Sequence, residues 1–468
     1  MGPRRLNGAP SKLAATTATR IVQDVVARGW PVGDVLGSEP ELLERYGVSR
    51  AVFREAVRLV EHQQVARMRR GPGGGLVVTE PTVDAIIDAA VLYLHRVDAR
   101  LDEVFAARLA LEEIVTDVAP GRLDEHDLLR LRELVRDEAA GVFTDHRALH
   151  VLLAAATGNP ALELFIDILN RVSVLYFNDR RALSSGTVAD SRHAHARIVD
   201  AVIAGDSGLA RRRMRKHLKA EAEFLRHRRS ARQLLPDAVV LGDPTRSKRA
   251  EAVARAILQQ LLADDLPPGH YLGSESELME RHAVSRAVFR EAVRLLEHHH
   301  IAVMRRGPGG GLFVVPPDTG ALTDVVAIHL VRKGMDVADL ADLRTRLELV
   351  LVDLAVANMD DTAADRLRTA IDRERDASDA EFAEAGHNMH AVLAEIAGNR
   401  ALELVALVLV RLTRLHQVEV LSAAARRKIA DEVHRTHSGI ASALIEKDAE
   451  LARHRLRRHL HAVADHLR

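Results

Sequence analysis

The chain contains no cysteine, which excludes disulfide bonds and thiolate metal sites and is consistent with a reducing compartment. Aromatic residues are scarce, at 3% of 468 residues, although hydrophobic residues reach 47%. The cores must therefore be built mainly from Ala, Val, Leu and Ile, which favours packed helices over β-sandwiches. A chain of this length is expected to form several domains, at about 100–200 residues each.

The chain also lacks a net charge and a long hydrophobic run. Lysine and arginine total 66, as do aspartate and glutamate, so any surface that binds nucleic acid must be local. The most apolar stretch, Ala401–Leu412, is shorter than the roughly 20 residues of a membrane-spanning helix, and Glu403 interrupts it. No apolar segment follows Arg4 and Arg5, so we expect no signal peptide and a cytoplasmic protein without a membrane partner.

Two long identical segments indicate an internal duplication. The eleven residues at Ser49–Leu59, SRAVFREAVRL, recur at Ser285–Leu295, and RRGPGGGL at Arg69–Leu76 recurs at Arg305–Leu312. Both pairs are 236 residues apart. Such self-similarity predicts two copies of one arrangement of domains along the chain.

Each copy begins with two short helices separated by a tight turn. After a first helix at Leu13–Arg28, Ser38 is a suitable cap for a helix that ends at Gly47. Ser49 then caps a second helix that extends to about Gln63. This order of elements is typical of a helix-turn-helix.

One face of the second helix is basic and the opposite face is apolar. At 100° per residue, Arg50, Arg54 and Arg58 lie within about 80° of one another. Guanidinium groups pair with guanine or with phosphate, so this face is a candidate DNA-binding surface. The alternative is an ordinary solvated face of a surface helix.

A basic, glycine-rich hairpin follows the second helix. Val65–Arg69 and Leu76–Val78 are predicted strands, and residues 70–75 form the tip between them. A tip with few side chains can approach a minor groove closely, where the negative potential attracts Arg70. The alternative is a flexible glycine turn without a role in binding. The helices and the hairpin together predict a winged helix-turn-helix.

These motifs closely resemble the GntR superfamily of bacterial transcription regulators. The match runs through Gly37–Glu39, Tyr46–Arg50, Arg54–Val57 and Gly71–Gly75, and again through Gly273–Glu275, Ala283–Arg286, Arg290–Val293 and Gly307–Gly311. The resemblance implies that DNA is contacted by Ser49, Arg50, Arg54, Arg70 and Gly71, and by Ser285, Arg286, Arg290, Arg306 and Gly307.

The rest of each copy contains no convincing strand. In the first copy, helices are predicted at Leu92–Ala119, Glu125–Ala140, His146–Thr157, Ala161–Phe177, Asp190–Ala204 and Leu209–Arg228. The pattern resembles the all-helical FCD effector domain of the FadR-like branch of the same superfamily. The residues that carry this resemblance are Arg108, Glu112, His150, Asn159, His195 and His217, and in the second copy Arg344, Glu348, His390, Asn399, His437 and His459.

Many domains of this kind bind a divalent metal ion through one Asp and three His residues. The resemblance implies that His150, His195 and His217 are the three histidine ligands in the first copy. His146 stands at the Asp position, one helical turn before His150, so both side chains can reach one ion. Imidazole ligands suit a divalent transition metal such as zinc or nickel.

The second copy has the same three histidines but lacks the fourth. His390, His437 and His459 match, and Gly386 occupies the Asp position. The chain has 24 histidines, so the alternative is that these are ordinary core or surface residues. Against that alternative, the last two histidines of the set are 22 residues apart in both copies.

Arg108 and Arg344 are candidate ligands for the carboxylate of a small effector beside the metal. The alternative for each is an internal salt bridge with the glutamate four residues further on, Glu112 or Glu348.

The sequence thus predicts a mainly α protein with two winged helix-turn-helix domains, each with a small β-hairpin wing, and two all-helical bundle effector domains. The expected divisions are a disordered tail at 1–12, winged helices at 13–80 and 247–316, effector domains at 81–230 and 317–468, and a linker at 231–246.

The predicted function is sequence-specific transcription regulation. We expect a metabolite-responsive repressor that binds a pseudo-palindromic operator in double-stranded DNA and a small carboxylate effector at the metal. We expect the two-fold unit that reads such an operator to form within one chain, as an intramolecular pseudo-dimer, and a homodimer of chains is the alternative. Two alternatives stay open, a metal-responsive DNA-binding sensor and a metal hydrolase with histidine ligands.

Overall fold

Helices dominate this chain because alanine, leucine and arginine, which favour helices, fill a large share of its positions. The computed structural model describes residues 12–62, 64–69, 71, 73–79, 83–142, 147–175, 185–227, 248–307, 309–377, 382–416 and 423–467. These residues form helices and two small antiparallel sheets, which confirms the predicted fold class. The predicted tail, apart from Lys12, and the predicted linker lie outside the described residues.

The elements of the first half, in chain order, are α1 (Lys12–Ala27), α2 (Glu39–Tyr46), α3 (Arg50–His62), β1 (Ala66–Arg69), β2 (Gly75–Val78), α4 (Val83–Arg96), α5 (Leu101–Val118), α6 (Glu125–Ala139), α7 (Ala148–Ala155), α8 (Pro160–Leu175), α9 (Ser185–Ile203) and α10 (Ser207–His227). We call α1–α3 with β1 and β2 the first winged helix, and α5–α10 the first bundle.

The elements of the second half are α11 (Lys248–Ala263), β3 (Tyr271–Gly273), α12 (Glu275–Arg281), α13 (Arg286–His298), β4 (Ala302–Arg305), β5 (Gly311–Val314), α14 (Thr319–Arg332), α15 (Val337–Ala357), α16 (Asp361–Arg375), α17 (Phe382–Ile396), α18 (Arg400–His416), α19 (Ala423–Ile445) and α20 (Ala449–Leu467). We call α11–α13 with β3–β5 the second winged helix, and α15–α20 the second bundle.

The apolar face of α3 forms the core of the first winged helix. Phe53, Ala56 and Val60 are fully buried where α3 packs against α1, whose Ile21 and Val25 are also fully buried. The arginine face of α3 stays exposed. The predicted division of α3 into a core face and a basic face is therefore confirmed.

The wing lies so close to the turn before α2 that one of its residues must be glycine. The backbone N–H of Leu76 donates to the carbonyl of Gly37 at 3.0 Å. A Cβ atom on the preceding residue, Gly75, would lie 2.4 Å from that same carbonyl oxygen, and the φ of Gly75 is 153°. Any side chain here would displace the wing from the helices.

One secondary-structure prediction was wrong, and one short strand was not predicted. The predicted helix Leu92–Ala119 is two helices, because Asp98 adopts a left-handed φ of 56° and separates α4 from α5. Gly334 occupies the corresponding position in the second half, with a φ of 77°. The segment before α12 contains the short strand β3, for which no prediction was made, and β3 pairs with the free edge of β5.

The contacts within the chain divide it into two units by type of domain, not by half. One unit contains the described residues of 1–86, 241–254 and 268–333, and therefore most of both winged helices. The other contains those of 87–240, 255–267 and 334–468, and therefore both bundles. Within the described residues, no helix is long and apolar enough to cross a membrane.

The two bundles contact each other through equivalent residues. The side-chain amide of Asn159 donates to the carbonyl of Asp339 at 3.4 Å, and that of Asn399 donates to the carbonyl of Glu103 at 2.9 Å. Asn159 and Asn399 occupy corresponding positions in the two halves, as do Glu103 and Asp339. This exchange of equivalent contacts is the pattern of a two-fold symmetric interface.

Salt bridges flank both amide contacts between the bundles. Arg122 reaches Asp339 at 2.7 Å, and Arg400 reaches Glu103 at 3.2 Å. Glu103 is buried, so its negative charge needs a cationic partner such as Arg400. The same two acidic positions thus receive an amide and a guanidinium from the opposite bundle.

Candidate functional site

The predicted DNA-binding arginines lie on the exposed face of α3 and α13. The side chains of Arg50 and Arg54 are 67% and 64% exposed, and their Nε atoms lie 3.6 and 3.2 Å from Oε1 of Glu39. In the second winged helix, Arg286 and Arg290 have the same arrangement around Glu275, at 3.4 and 3.0 Å. Each pair is therefore held parallel and remains accessible to DNA.

Glu39 and Glu275 were not singled out from the sequence. Each is the first residue of the shorter helix, and each recurs in the Gly-Ser-Glu segment of its copy. Their carboxylates are about one-third exposed and face the surface that would meet phosphates. DNA binding must therefore displace or tolerate an acidic group in each winged helix.

Replacing Glu39 with alanine should raise the affinity for DNA about three- to tenfold. The change removes a negative charge beside Arg50 and Arg54 and frees both guanidinium groups for phosphate or base contacts. Fluorescence anisotropy at several salt concentrations measures this change. Glu44→Ala, on the exposed side of the same helix, is the matched control, and an equal gain for both variants would refute the specific role of Glu39.

The predicted serine and wing residues have clear structural positions. The hydroxyl of Ser49 accepts the backbone N–H of Val52 at 3.4 Å, and that of Ser285 accepts the backbone N–H of Val288 at 3.5 Å. Each serine therefore caps the start of the helix that follows it, α3 or α13. Gly71 and Gly307, in the wing tips, have φ values of 99° and 96°. Arg306 is exposed at the second tip. Arg70 lies outside the described residues.

The three predicted histidines of the first bundle meet in its interior. The ring centroids of His150, His195 and His217 are 4.8–5.7 Å apart, and one nitrogen from each lies within 4.8 Å of the others. Nδ1 of His150 pairs with Glu112, and Nδ1 of His195 lies 2.9 Å from Oε1 of Glu138. The Nε2 atoms of His195 and His217 are buried without a hydrogen-bond partner within the described residues.

The second bundle repeats this arrangement. Nε2 of His459 lies 3.3 Å from Nε2 of His390 and 3.0 Å from Nε2 of His437. Carboxylates again hold the opposite ring atoms, with Glu348 2.6 Å from His390 and Glu374 2.7 Å from His437. Two nitrogens on one tetrahedral zinc ion are about 3.3 Å apart, so this spacing matches shared coordination.

Burial lowers the pKa of five of the six imidazoles, those of His195, His217, His390, His437 and His459, and so favours the neutral form that binds metals. It lowers the pKa of His217 to about 3, that of His437 to about 3 and that of His390 to about 4. At pH 7 the imidazoles of His217, His390 and His437 are therefore neutral, and each can offer a nitrogen lone pair to a metal ion.

The sequence identified the histidines but not all of the carboxylates behind them. Glu138 and Glu374 were missed, although they occupy corresponding positions in the two halves and both are buried. The fourth predicted ligand, His146, lies outside the described residues. Gly386 is buried in α17 and supplies no side chain, so three histidines form the described second cluster.

Arg108 and Arg344 lie beside the histidine clusters and form the internal salt bridges that were considered as their alternative role. Arg108 is 1% exposed, and its Nε lies 3.1 Å from Oε1 of Glu112. Arg344 is 4% exposed, and its Nε lies 2.6 Å from Oε1 of Glu348. Because each glutamate also holds a histidine, one carboxylate connects the arginine to the histidine cluster in each bundle.

Two winged helices and two histidine-centred bundles define a DNA-binding transcription regulator. The family profile described as "FCD domain" matches residues 103–220 and 339–462, together more than half of the chain. The profile "Bacterial regulatory proteins, gntR family" matches residues 249–314. The chain therefore belongs to the GntR family of bacterial regulators that carry an FCD domain, and the FCD domain occurs in it twice.

Relatives of known name match about half of this chain. The Exu regulon transcriptional regulator of Escherichia coli strain K12 is 28% identical over 225 residues, which cover 46% of this chain and 83% of the relative. The HTH-type transcriptional regulator LutR of Bacillus subtilis strain 168 is 30% identical over 40% of this chain and 89% of the relative. The HTH-type transcriptional repressor NanR of Citrobacter rodentium is 27% identical over 47% of this chain and 85% of the relative.

These similarities confirm the predicted family and the prediction that the chain is not an enzyme. The hydrolase alternative is removed because the matched family and the named relatives are regulators. A GntR helix-turn-helix domain implies that double-stranded DNA is the partner.

Proposed function

We propose that this regulator is a metabolite-responsive repressor that senses a small carboxylate at a metal ion in its bundles. The observation that carries the proposal is the convergence of three buried histidines beside a buried arginine in both bundles. A cation and a guanidinium side by side form a site for a carboxylate group. The name of the relative NanR, a repressor, supports repression as the direction of control.

The donor set of each cluster fits a divalent transition metal. In the first bundle His150, His195 and His217 would hold it, and the unpartnered Nε2 atoms of the last two would become ligands. In the second bundle His390, His437 and His459 would hold it. A bound ion would supply a Lewis-acid centre for one oxygen of the effector.

The carboxylates behind the histidines fix the direction of the rings. A hydrogen bond from Nδ1–H to Glu138 or Glu374 selects the tautomer whose Nε2 lone pair points into the cluster. Glu112 and Glu348 do the same for the histidines of α7 and α17 while they hold the arginine. These glutamates therefore position both parts of the proposed effector site.

The metal content of the protein tests this assignment. The purified, dialysed chain should hold two zinc or nickel ions, and His195→Ala and His437→Ala should each hold one. Loss of one imidazole from a three-histidine site should weaken metal binding at least 100-fold, because removal of even a supporting carboxylate costs about 10–100-fold. Plasma emission spectroscopy counts the ions. The exposed His126→Ala is the control, and unchanged metal content in all variants would contradict the assignment.

We further propose that the two halves form a pseudo-dimer within one chain. The reciprocal contacts of Asn159 and Asn399 support this proposal, since an ordinary dimer has such contacts between two subunits. A pair of winged helices then reads the two half-sites of a pseudo-palindromic operator.

Fluorescence anisotropy with DNA from the upstream region of the protein's own gene tests the proposed function. The metal-loaded chain should bind one sequence at least 1,000-fold more tightly than random DNA, and a carboxylate effector should lower that affinity. Metal alone, without a carboxylate, should leave the affinity unchanged. A response to metal alone would instead favour the metal-sensor alternative, and an absence of sequence preference would contradict both.

A further inference from the structure

The two bundles differ in charge at a position beside the histidine clusters. In the first bundle, Glu221 lies four residues after His217 on α10, and Oε1 of its carboxylate is 3.0 Å from Nη1 of Arg108. Its other oxygen, Oε2, is 3.9 Å from Nε2 of His217. The corresponding residue in α20, four residues after His459, is Val463.

The Glu221 carboxylate stands between the arginine and the histidine cluster of the first bundle. An external carboxylate that shared its two oxygens between the metal and Arg108 would need the same place. Glu221 shares Nη1 of Arg108 with Ser173, which accepts at 3.4 Å, while Nε donates to Glu112 at 3.1 Å. Nη2 is buried without a hydrogen-bond partner among the described residues. A tethered group acts at an effective concentration of about 1 mM or more, so it competes strongly with free carboxylates.

The second bundle leaves this place open. Arg344 donates to Glu348 at 2.6 Å and to Thr413 at 2.9 Å, and Thr413 corresponds to Ser173. Arg344, Thr413 and Val463 line a cavity whose other walls include Leu340 and Leu460. The cavity is small and mainly apolar, and no carboxylate side chain stands at the position that Glu221 occupies in the first bundle. The guanidinium of Arg344 can therefore pair with the carboxylate of a small acid such as acetate.

We propose that only the second bundle takes a carboxylate effector from solution, and that Glu221 holds the first bundle permanently in the carboxylate-bound arrangement. This inference rests on the proposed metal and effector site. One chain then responds to one effector molecule, although it has two bundles. Without effector, only the first bundle holds a carboxylate, that of Glu221. With effector, both bundles hold one, and this difference is what changes the affinity for DNA.

Cobalt(II) provides the test, because its visible absorption changes when a carboxylate joins a histidine-bound ion. The full chain is loaded with two cobalt ions and titrated with acetate in a buffer without carboxylates. Acetate should change half of the cobalt absorption of the unaltered chain, all of it in Glu221→Val and none of it in Val463→Glu. Each variant copies an arrangement that the other bundle already contains, and circular dichroism confirms that each one folds.

Single-site variants assign the responding ion. His195→Ala retains the cobalt of the second bundle and should respond to acetate, while His437→Ala retains that of the first and should respond at least tenfold more weakly. Acetamide, which has the shape of acetate without its charge, should change neither spectrum. Equal responses of the two sites would overturn the inference and leave the metal site intact. Failure of cobalt to bind would overturn the proposed metal site and this inference with it.

Discussion

The double variant Arg50→Ala/Arg54→Ala should lose about 30-fold or more in affinity for the specific operator, and so should Arg286→Ala/Arg290→Ala. A bidentate arginine–base contact contributes about 1–3 kcal/mol of discrimination, so the loss of two contacts in one winged helix costs about 2–6 kcal/mol. Both arginines of each pair are about two-thirds exposed, and neither belongs to the core of its winged helix. The fold should therefore survive the change.

Anisotropy with specific and random DNA separates the two kinds of contact. Loss of base contacts should remove the sequence preference, while loss of phosphate contacts should weaken binding to all sequences and reduce the salt dependence. Arg136→Ala, an exposed arginine of the first bundle, is the matched control and should bind normally. If one double variant binds like the unaltered chain, that winged helix does not read DNA and the proposal of two working halves is refuted.

Arg108→Met should destabilise the first bundle by about 3–5 kcal/mol, the usual cost of removing one partner from a buried ion pair. The change leaves the buried carboxylate of Glu112 and the adjacent Glu221 without their shared cation. Methionine fills much of the volume of the arginine stem, so the cost is mainly electrostatic. For a unit of this size, the midpoint of thermal unfolding should fall by about 10 °C.

The matched variant Arg344→Met should cost less, because the corresponding arginine of the second bundle compensates one carboxylate, Glu348, and a hydroxyl. Adding Glu221→Val to Arg108→Met should recover part of the lost stability, since it removes one of the two uncompensated charges. Calorimetry of the full chain measures all three variants. Equal losses for Arg108→Met and Arg344→Met would show that Glu221 does not contribute to the charge balance.

The fold was predictable from the sequence wherever a local signal is strong. Ser38 and Gly47 mark the ends of α2, and the structure has that helix at Glu39–Tyr46. The break between α4 and α5 was missed because Asp98, unlike a glycine, gives no sign of a left-handed φ. Comparison with Gly334 in the second half would have revealed it, since a duplicated chain provides two chances to find each turn.

The candidate sites were predictable only in part, because several of their contacts join distant parts of the chain. The recurrence of the histidines at constant spacing identified both clusters. The pairing of Glu138 with His195 depends on how α6 packs against α9, which no local pattern specifies. The position of Glu221 beside Arg108 likewise depends on the packing of α10 against α5, more than 100 residues apart in the sequence.

From the reciprocal contacts between the bundles we expect one chain to bind one operator. The mass of the protein–DNA complex tests this stoichiometry directly. Sedimentation equilibrium of the chain on a DNA fragment with a single operator should give one chain of 51.4 kDa per fragment, bound through both winged helices. Two chains per operator would contradict the claim, because the two-fold unit that reads DNA would then form between chains instead of within one.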